Sequence, residues 1–299
     1  MSLSSSAMFT RPRHRTLNPH TLHPLFDPHH RFTTSWLLSP PLLLSLRTTT
    51  SLYLFATLFF ILGYESSHSD GVAARRFFSY FTVLSYWGLA FYFAVAAAHT
   101  ASYWLTGRSL LQRWPRWAQE LHGGFYSTVA VFPFIVTIIF WALLSRGAFR
   151  TRFSTWTNIS QHVLNSVFAF AEIVLTRTEP LPWWHLVALV GLLALYLGLA
   201  YVTYGTQGFF VYNFLDDRIG GRGRVAGYVF AVLAATIVVF VIVRCMIKLR
   251  MWETEQKLGM GGKLTTRENM DAFTETQDGR DVELAVQMKS EPCGVTLRE

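Results

Sequence analysis

Long charge-free apolar stretches divide this 299-residue chain, and they constrain its fold more than any other feature. A helix needs roughly 20 mainly apolar residues to cross a hydrocarbon core about 30 Å thick. Only 15 % of the residues are charged, against about 25 % in a typical soluble domain. Six stretches are predicted to span a membrane: 48–64, 77–100, 122–144, 155–176, 183–204 and 225–246. The sequence therefore predicts an all-α polytopic membrane protein with six transmembrane helices in one bundle.

Polar tails flank the predicted helices, and they give three regions. We expect a polar basic N-terminal tail over residues 1–46, the six-helix transmembrane domain over 47–250 and a disordered C-terminal tail over 251–299. The first span is short unless residues 42–46 extend it past Pro40 and Pro41. An even number of spans places both termini on one side of the membrane. The distribution of Lys and Arg favours the cytosol for that side. Without another address in the sequence, we expect the endoplasmic reticulum or another endomembrane.

The basic balance of the chain, +8 at pH 7, points to lipid and not to nucleic acid. The basic residues lie in short loops and tails between apolar stretches, where lipid head groups are the expected partner. Cys245 and Cys293 offer neither a disulfide framework nor a CxxC metal site. The nucleotide and hydrolase motifs of soluble enzymes are also absent from the sequence. We therefore expect membrane lipids as partners, no nucleic acid, no cofactor and no metal; protein partners stay unknown.

The fourth predicted helix carries five polar residues along one face. Their spacings of four, three, seven and four residues match the helical period: Asn158, His162, Asn165, Glu172 and Thr176. Polar groups at membrane depth are costly and often functional. They also hold helices together through hydrogen bonds. The pattern therefore has two interpretations, a site or interhelical packing.

The second predicted helix offers a hydroxyl at a depth similar to that of the histidine. Thr82 lies five residues after Phe77, and His162 lies seven residues after Thr155. Because both predicted helices start on the same side of the membrane, the two side chains are expected within one helical turn of the same depth. A hydroxyl and an imidazole form a nucleophile–base pair if their helices adjoin. The alternative is that Thr82 only bonds to its own helix backbone.

Other polar residues are candidates for supporting roles. Asn158 or Asn165 could orient His162, while Gln161, Asn165 or Tyr204 could donate to an oxyanion. Glu172 lies about 15 Å deeper than His162 along the helix, so it is expected to pair with a Tyr or Trp of another helix. The remaining histidines, His99, His122 and His185, are predicted at the opposite ends of their helices, at the interface, and not as haem ligands.

Four short motifs resemble the androgen-induced gene protein family. The stretch from Asn158 to Glu172 matches the family pattern in which an Asn precedes a His by four residues and a Glu follows it by ten. The other resemblances are at Tyr80–Ser85, at Phe132-Pro133 with Phe140-Trp141, and at Tyr196 with Gly208–Leu215. Together the resemblance covers roughly residues 48 to 250. Family members are six-helix membrane hydrolases that cleave fatty-acid esters of hydroxy fatty acids.

The resemblance implies a nucleophile and a base at two positions. By position, the family's threonine is Thr82 and its histidine is His162, the pair that the depth comparison also selects. A further histidine of the family corresponds to Ile159, and a His-His pair on its fifth helix corresponds to Tyr204-Gly205. The resemblance thus implies an integral membrane hydrolase of fatty-acyl ester substrates. The alternatives are a non-catalytic lipid carrier or a scaffold of the same family.

Overall fold

The fold consists of six long helices, described from a computed structural model that covers residues 26–262. These are α1 Pro40–Ser67, α2 Phe81–Thr106, α3 Arg116–Leu144, α4 152–175, α5 Trp183–Gln207 and α6 Asp217–Met251. Within these residues there is no β-strand, and the pairing of Ser35 with Thr176 is an isolated bridge. In lipid a helix satisfies every backbone polar group internally, which explains why the apolar stretches are all helical.

The helices confirm a multi-pass membrane protein. Five of them, α1, α2, α3, α5 and α6, are long and apolar enough to cross a membrane. The fourth predicted span is present as the continuous helix α4, and it is consistent with a sixth crossing. Its hydrogen bonding changes along its length: α-helical over Arg152–Ile159, π-helical over Ser160–Leu164 and α-helical again over Asn165–Leu175.

Five of the six predicted helix starts differ from the structure, and the differences in α1 and α2 change the position of key residues. The first helix begins at Pro40 and not at residue 48, so Arg47 lies inside α1, where it is fully buried. Proline is favoured in the first helical turn, because its missing N–H has no intrahelical acceptor there. The second helix begins at Phe81 and not at Phe77, because Phe77–Ser79 forms a separate 3₁₀ turn. Thr82 is therefore the second residue of α2.

The buried ion pair of Arg47 with Glu172 joins three helices. The Arg47 Nη2 contacts Glu172 Oε1, and Nε donates to Oε2 at 3.3 Å. The Tyr92 hydroxyl donates to the same carboxylate at 3.0 Å, as predicted for a Tyr partner of Glu172. Arg47 Nη1 donates to Thr100 Oγ1 at 2.6 Å and to the Phe32 carbonyl at 2.9 Å. Because every charged group has partners, α1, α2 and α4 are held at one relative depth.

The residues before α1 cover the same end of the bundle. Within this N-terminal segment (residues 26–39), Trp36 donates its indole N–H to the Val174 carbonyl at 2.7 Å. Arg31 donates to both carboxylate oxygens of Glu255, at 2.9 and 2.7 Å. The predicted region boundary at residue 47 thus falls inside α1, and α6 continues as a π-helical turn through Trp252–Lys257. The rest of both predicted tails, residues 1–25 and 263–299, lies outside the described residues.

The helices differ in how deeply they are packed. In α3, 50 % of the residues in its most apolar 18-residue stretch are buried, and this helix lies at the centre of the bundle. In the most apolar 18-residue stretch of α5, only 17 % of the residues are buried, so most of this helix faces the surroundings of the protein. A central cluster of apolar side chains, drawn from all six helices, fills the bundle: Leu54, Leu58, Leu89, Tyr92, Phe132, Ile173, Leu189 and Phe240.

Breaking the buried ion pair is expected to destabilise the bundle. The variant Arg47→Met should lower the free energy of unfolding by about 3–5 kcal/mol, because it leaves the Glu172 charge buried without its partner. The double variant with Glu172→Leu should recover most of this loss, since no charge remains. Titration of the purified protein with sodium dodecyl sulfate, followed by circular dichroism, measures the change.

An exposed ion pair provides the control. Arg116 Nε lies 3.1 Å from Glu120 on the surface of α3, and Arg116→Met should cost at most about 1 kcal/mol. Equal losses in the two arginine variants would contradict a special role for the buried pair.

Candidate active site

The start of α2, which carries Thr82, is fixed by a tyrosine of α5. The Tyr196 hydroxyl accepts from the Phe81 N–H at 3.1 Å and donates to the Ser79 carbonyl at 2.9 Å. It thereby satisfies one of the N–H groups that a helix leaves free in its first turn. The Tyr80 backbone immediately before the helix is extended, with φ −90° and ψ 130°. Tyr196 therefore sets where α2 begins and where Thr82 lies.

A second tyrosine, from the loop between α5 and α6, reaches the same point. The Tyr212 hydroxyl interacts with the Thr82 side chain, the Tyr196 hydroxyl and the backbone N–H groups of Phe81 and Thr82. Burial raises the pKa of Tyr212 above its ordinary value, although these hydrogen bonds oppose the shift. Tyr212 is therefore protonated at neutral pH and is available as a hydrogen-bond donor beside Thr82.

Thr82, Tyr196 and Tyr212 lie at the wall of an apolar cavity of about 270 Å³. The cavity is bordered by α2, α3, α5, α6 and the loop between α5 and α6. Its apolar wall includes Phe81, Ile135, Val136, Ile139, Leu193, Leu197, Phe214, Leu215, Val229 and Leu233. Ligand sites combine such an apolar lining with a few placed polar groups, and here the hydroxyl-bearing residues are these three and Tyr228.

His162 lies in the π-helical segment of α4, which packs against both α2 and α3. Its ring stacks on Phe140 at a centroid distance of 3.8 Å, and its Nδ1 is buried without a hydrogen-bond partner. π-Helical segments within α-helices are frequent at functional sites. His162 is not part of the cavity wall, whereas Ile139, the residue before Phe140, is. The hydrogen bonds of the described residues do not include one between His162 and Thr82.

The depth comparison from sequence does not hold as it was made, because both helix starts moved. Thr82 is one residue into α2, whereas His162 is ten residues into α4, which begins at residue 152. What supports the pair instead is adjacency, since the segment Ser160–Leu164 lies against α2. Catalytic hydrogen bonds are often absent in a ligand-free protein and form only with substrate bound.

The asparagines predicted to orient His162 bond to backbone carbonyls. Asn158 Nδ2 donates to the carbonyls of Ala148 and Ser154, at 2.9 and 2.8 Å. Asn165 Nδ2 donates to the Pro133 carbonyl at 3.3 Å and thereby joins α4 to α3. With Glu172 in the ion pair, most of the polar stripe on α4 serves packing. Packing hydrogen bonds do not explain the side chain of His162, because its Nδ1 has no partner.

The other predicted donors lie in different surroundings. Gln161 Nε2 is buried without a partner, and it lies next to His162 in the sequence. Tyr204 stacks on Phe210 at a centroid distance of 3.9 Å, and the Arg218 guanidinium lies 5.6 Å from the Tyr204 ring centroid. Tyr204 does not border the cavity, so its predicted oxyanion role stays a prediction.

The structure adds Tyr196 and Tyr212 to the candidate site. In the sequence these tyrosines are visible only as members of the motif of Tyr196 with Gly208–Leu215. Their role depends on the loop after α5 folding back onto the start of α2. Both tyrosine hydroxyls interact with the first turn of the helix that carries Thr82.

The three histidines at the opposite end are buried and not at an exposed interface. His99 and His122 are 1 % and 3 % exposed, and their ring centroids lie 5.1 Å apart. The His185 Nδ1 forms a hydrogen bond of 2.6 Å with the Ser127 hydroxyl. Among residues 26–262, no group of three or more His, Cys, Asp or Glu side chains is arranged to hold a metal.

Most of the chain matches one known protein family. A family model described as FAR-17a/AIG1-like protein matches residues 44–247. The chain belongs to this family. The match begins inside α1 and ends inside α6, so it confirms the resemblance to the androgen-induced gene family across the whole bundle. No curated protein and no solved structure matches the chain.

In this FAR-17a/AIG1-like protein, Tyr196→Phe is expected to loosen the first turn of α2. Loss of the hydroxyl leaves the Phe81 N–H and the Ser79 carbonyl without their partner, which costs about 1 kcal/mol locally. Hydrogen–deuterium exchange should therefore be faster at the amides of residues 81–84. The control Tyr201→Phe removes an exposed tyrosine of the same helix and should leave these amides unchanged. Unchanged exchange in Tyr196→Phe would show that the hydroxyl does not hold the helix start.

Proposed function

We propose that this protein is an integral membrane hydrolase that cleaves lipid esters with Thr82 as nucleophile and His162 as base. The observation that carries the proposal is the position of Thr82. Its hydroxyl lies where an apolar cavity meets two tyrosine hydroxyls and the first N–H groups of α2. An acyl chain in the cavity would bring its ester carbonyl to this polar end.

The reaction needs a base because a threonine hydroxyl is a weak nucleophile at neutral pH. In the proposed first step, His162 takes the proton from Thr82 Oγ1, and that oxygen attacks the ester carbonyl. The alcohol leaves with the proton from His162, which gives an acyl-threonine. In the second step, His162 takes a proton from water, and the hydroxide attacks the acyl carbonyl. The bond from the acyl carbon to Thr82 Oγ1 then breaks, His162 returns its proton to Oγ1, and the fatty acid leaves.

Negative charge on the carbonyl oxygen requires donors in both steps. The Tyr212 hydroxyl and the N–H groups at the start of α2 are the donors beside Thr82, and they replace Tyr204 as the preferred candidates. The positive end of the α2 dipole favours the same charge. Before the first step, the imidazole and the Thr82 hydroxyl must approach each other, because the hydrogen bonds of the described residues do not include one between them.

The expected substrates follow from family membership. Fatty-acid esters of hydroxy fatty acids combine an acyl chain with an internal ester, and the cavity beside Thr82 suits a hydrocarbon chain. We also propose an endomembrane location, such as the endoplasmic reticulum, with both termini in the cytosol. The regions 1–46 and 251–299 are proposed to act as tails outside the catalytic bundle.

A non-catalytic lipid carrier is the second candidate, and a scaffold of the same family is a third. The position of His162 outside the cavity wall favours the carrier, because a cavity with only hydroxyls and apolar groups can hold a lipid without reacting. The carrier predicts lipid binding without covalent chemistry at Thr82.

Labelling with a fluorophosphonate probe distinguishes these functions. In membranes that contain equal amounts of each protein, Thr82→Ala should abolish labelling, and Thr82→Ser should retain it. His162→Ala should slow labelling by about 10²- to 10⁴-fold, because it removes the base. Hydrolysis of a fatty-acid ester of a hydroxy fatty acid should change in parallel.

Two matched variants serve as controls. Thr128→Ala removes a half-buried threonine of α3, and His68→Ala removes an exposed histidine, so neither should change labelling. A folded wild-type protein that binds fatty acid but does not react with the probe would favour the carrier. A protein that does neither would favour the scaffold.

A further inference from the structure

One arginine near the cavity, Arg224, forms no ion pair with another residue of 26–262. Arg224 is an exposed residue near the start of α6, and its guanidinium lies 5.6 Å from the ring centroid of Tyr228. Tyr228 itself borders the cavity that contains Thr82. The Tyr228 ring therefore lies between the Arg224 guanidinium and the cavity.

The neighbouring arginines are already paired with carboxylates. Arg218 contacts Asp216 at 2.8 Å, and Arg222 lies 3.9 Å from Asp217. Among residues 26–262, the ion pairs do not include one formed by Arg224. A guanidinium that forms no ion pair and lies over an aromatic ring at cation–π distance still has N–H donors for an anion.

The backbone provides space for this arginine. A Cβ at Gly220 would lie 2.2 Å from the Arg224 Cδ and 2.9 Å from its Nη1. The next residue, Gly221, has φ +74° and interrupts the helix at this point. The Arg224 side chain thus folds back over the Cα of Gly220, and a side chain at that position would displace the guanidinium.

The position of Arg224 in the membrane fits a lipid head group. It immediately precedes the apolar stretch 225–246 of α6, so its charge lies at the interface and its neighbours lie in the hydrocarbon. An anionic group at the interface and an acyl chain in the cavity would belong to one molecule. One guanidinium neutralises one charge, and its planar pair of N–H donors matches a carboxylate.

We propose that Arg224 recognises the free carboxylate of a single-chain acyl lipid whose hydrocarbon part occupies the cavity beside Thr82. If the proposed hydrolysis is correct, Arg224 is a specificity-determining residue, because it selects esters that carry a free carboxylate over neutral esters. Carboxylate recognition depends on the proposed function in one respect, because the proposed function identifies this cavity as the lipid site. Binding is therefore tested separately from hydrolysis.

The experiment measures binding of palmitate and of methyl palmitate to the full-length protein in phosphatidylcholine nanodiscs, by displacement of a fluorescent fatty acid. The wild type should prefer palmitate. Arg224→Gln should weaken palmitate binding by about ten- to a hundredfold, which corresponds to a lost hydrogen bond to a charged group, and should leave methyl palmitate unchanged. Arg224→Lys should retain part of the preference.

Two further variants separate recognition from general charge and from misfolding. Arg222→Gln removes a positive charge two residues away that is 96 % exposed, and it should leave the preference unchanged. Gly220→Ala keeps the charge but displaces the arginine, and it should reduce the preference as Arg224→Gln does. Circular dichroism spectra and unfolding midpoints that match the wild type establish that each variant is folded.

Three results would overturn the proposal: equal wild-type binding of palmitate and methyl palmitate, equal loss in Arg222→Gln and Arg224→Gln, or Arg224-dependent preference for lysophosphatidate over palmitate. The fluorophosphonate assay on the same samples tests the proposed function independently. Selective palmitate binding without labelling supports Arg224 recognition and contradicts the hydrolase. Labelling without a preference for palmitate supports the hydrolase and contradicts Arg224 recognition.

Discussion

The buried pair of Arg47 and Glu172 is the interaction on which the arrangement of the bundle depends. Each charge would be prohibitively costly in hydrocarbon by itself, so the two must meet at one depth. Their meeting fixes α1 against α4, and the bonds from Tyr92 and Thr100 add α2. Because a helix is a rigid rod, the anchor at Glu172 also sets the depth of His162, about 15 Å away along α4.

The two ends of the bundle consequently have different properties. At the end with Arg47, the N-terminal segment, the turn after α4 and the end of α6 are joined by polar contacts such as Arg31 with Glu255 and Arg250 with the Thr178 carbonyl. At the other end, α5 is largely unburied, and the cavity beside Thr82 lies partly against it. Segments with few buried contacts open most easily. Under the proposed function, the side of the cavity that α5 borders is where a lipid would enter from the bilayer.

The sequence predicted the helices well, because freedom from charge over about 20 residues has few other structural explanations. It misplaced the start of α1 for the same reason, since Arg47 was taken to mark the membrane boundary. Only the three-dimensional meeting with Glu172 makes a buried arginine possible there. Similarly, the start of α2 depends on Tyr196, which is more than a hundred residues away in the chain and carries no local signal at Phe81. Tyr212 was missed for a related reason, because its loop must fold back before it reaches Thr82.

The polar stripe on α4 shows how the structure separates packing from chemistry. Periodicity alone could not distinguish its members, since a packing residue and a catalytic residue occupy the same face. In the structure, Asn158, Asn165 and Glu172 have hydrogen-bond partners, whereas the Nδ1 of His162 has none. A buried polar atom without a partner costs about 1–3 kcal/mol, and such atoms in native proteins often mark sites of reaction. An apolar residue against Phe140 would serve packing as well, so packing alone does not explain the imidazole, whereas the base role that we propose for His162 would.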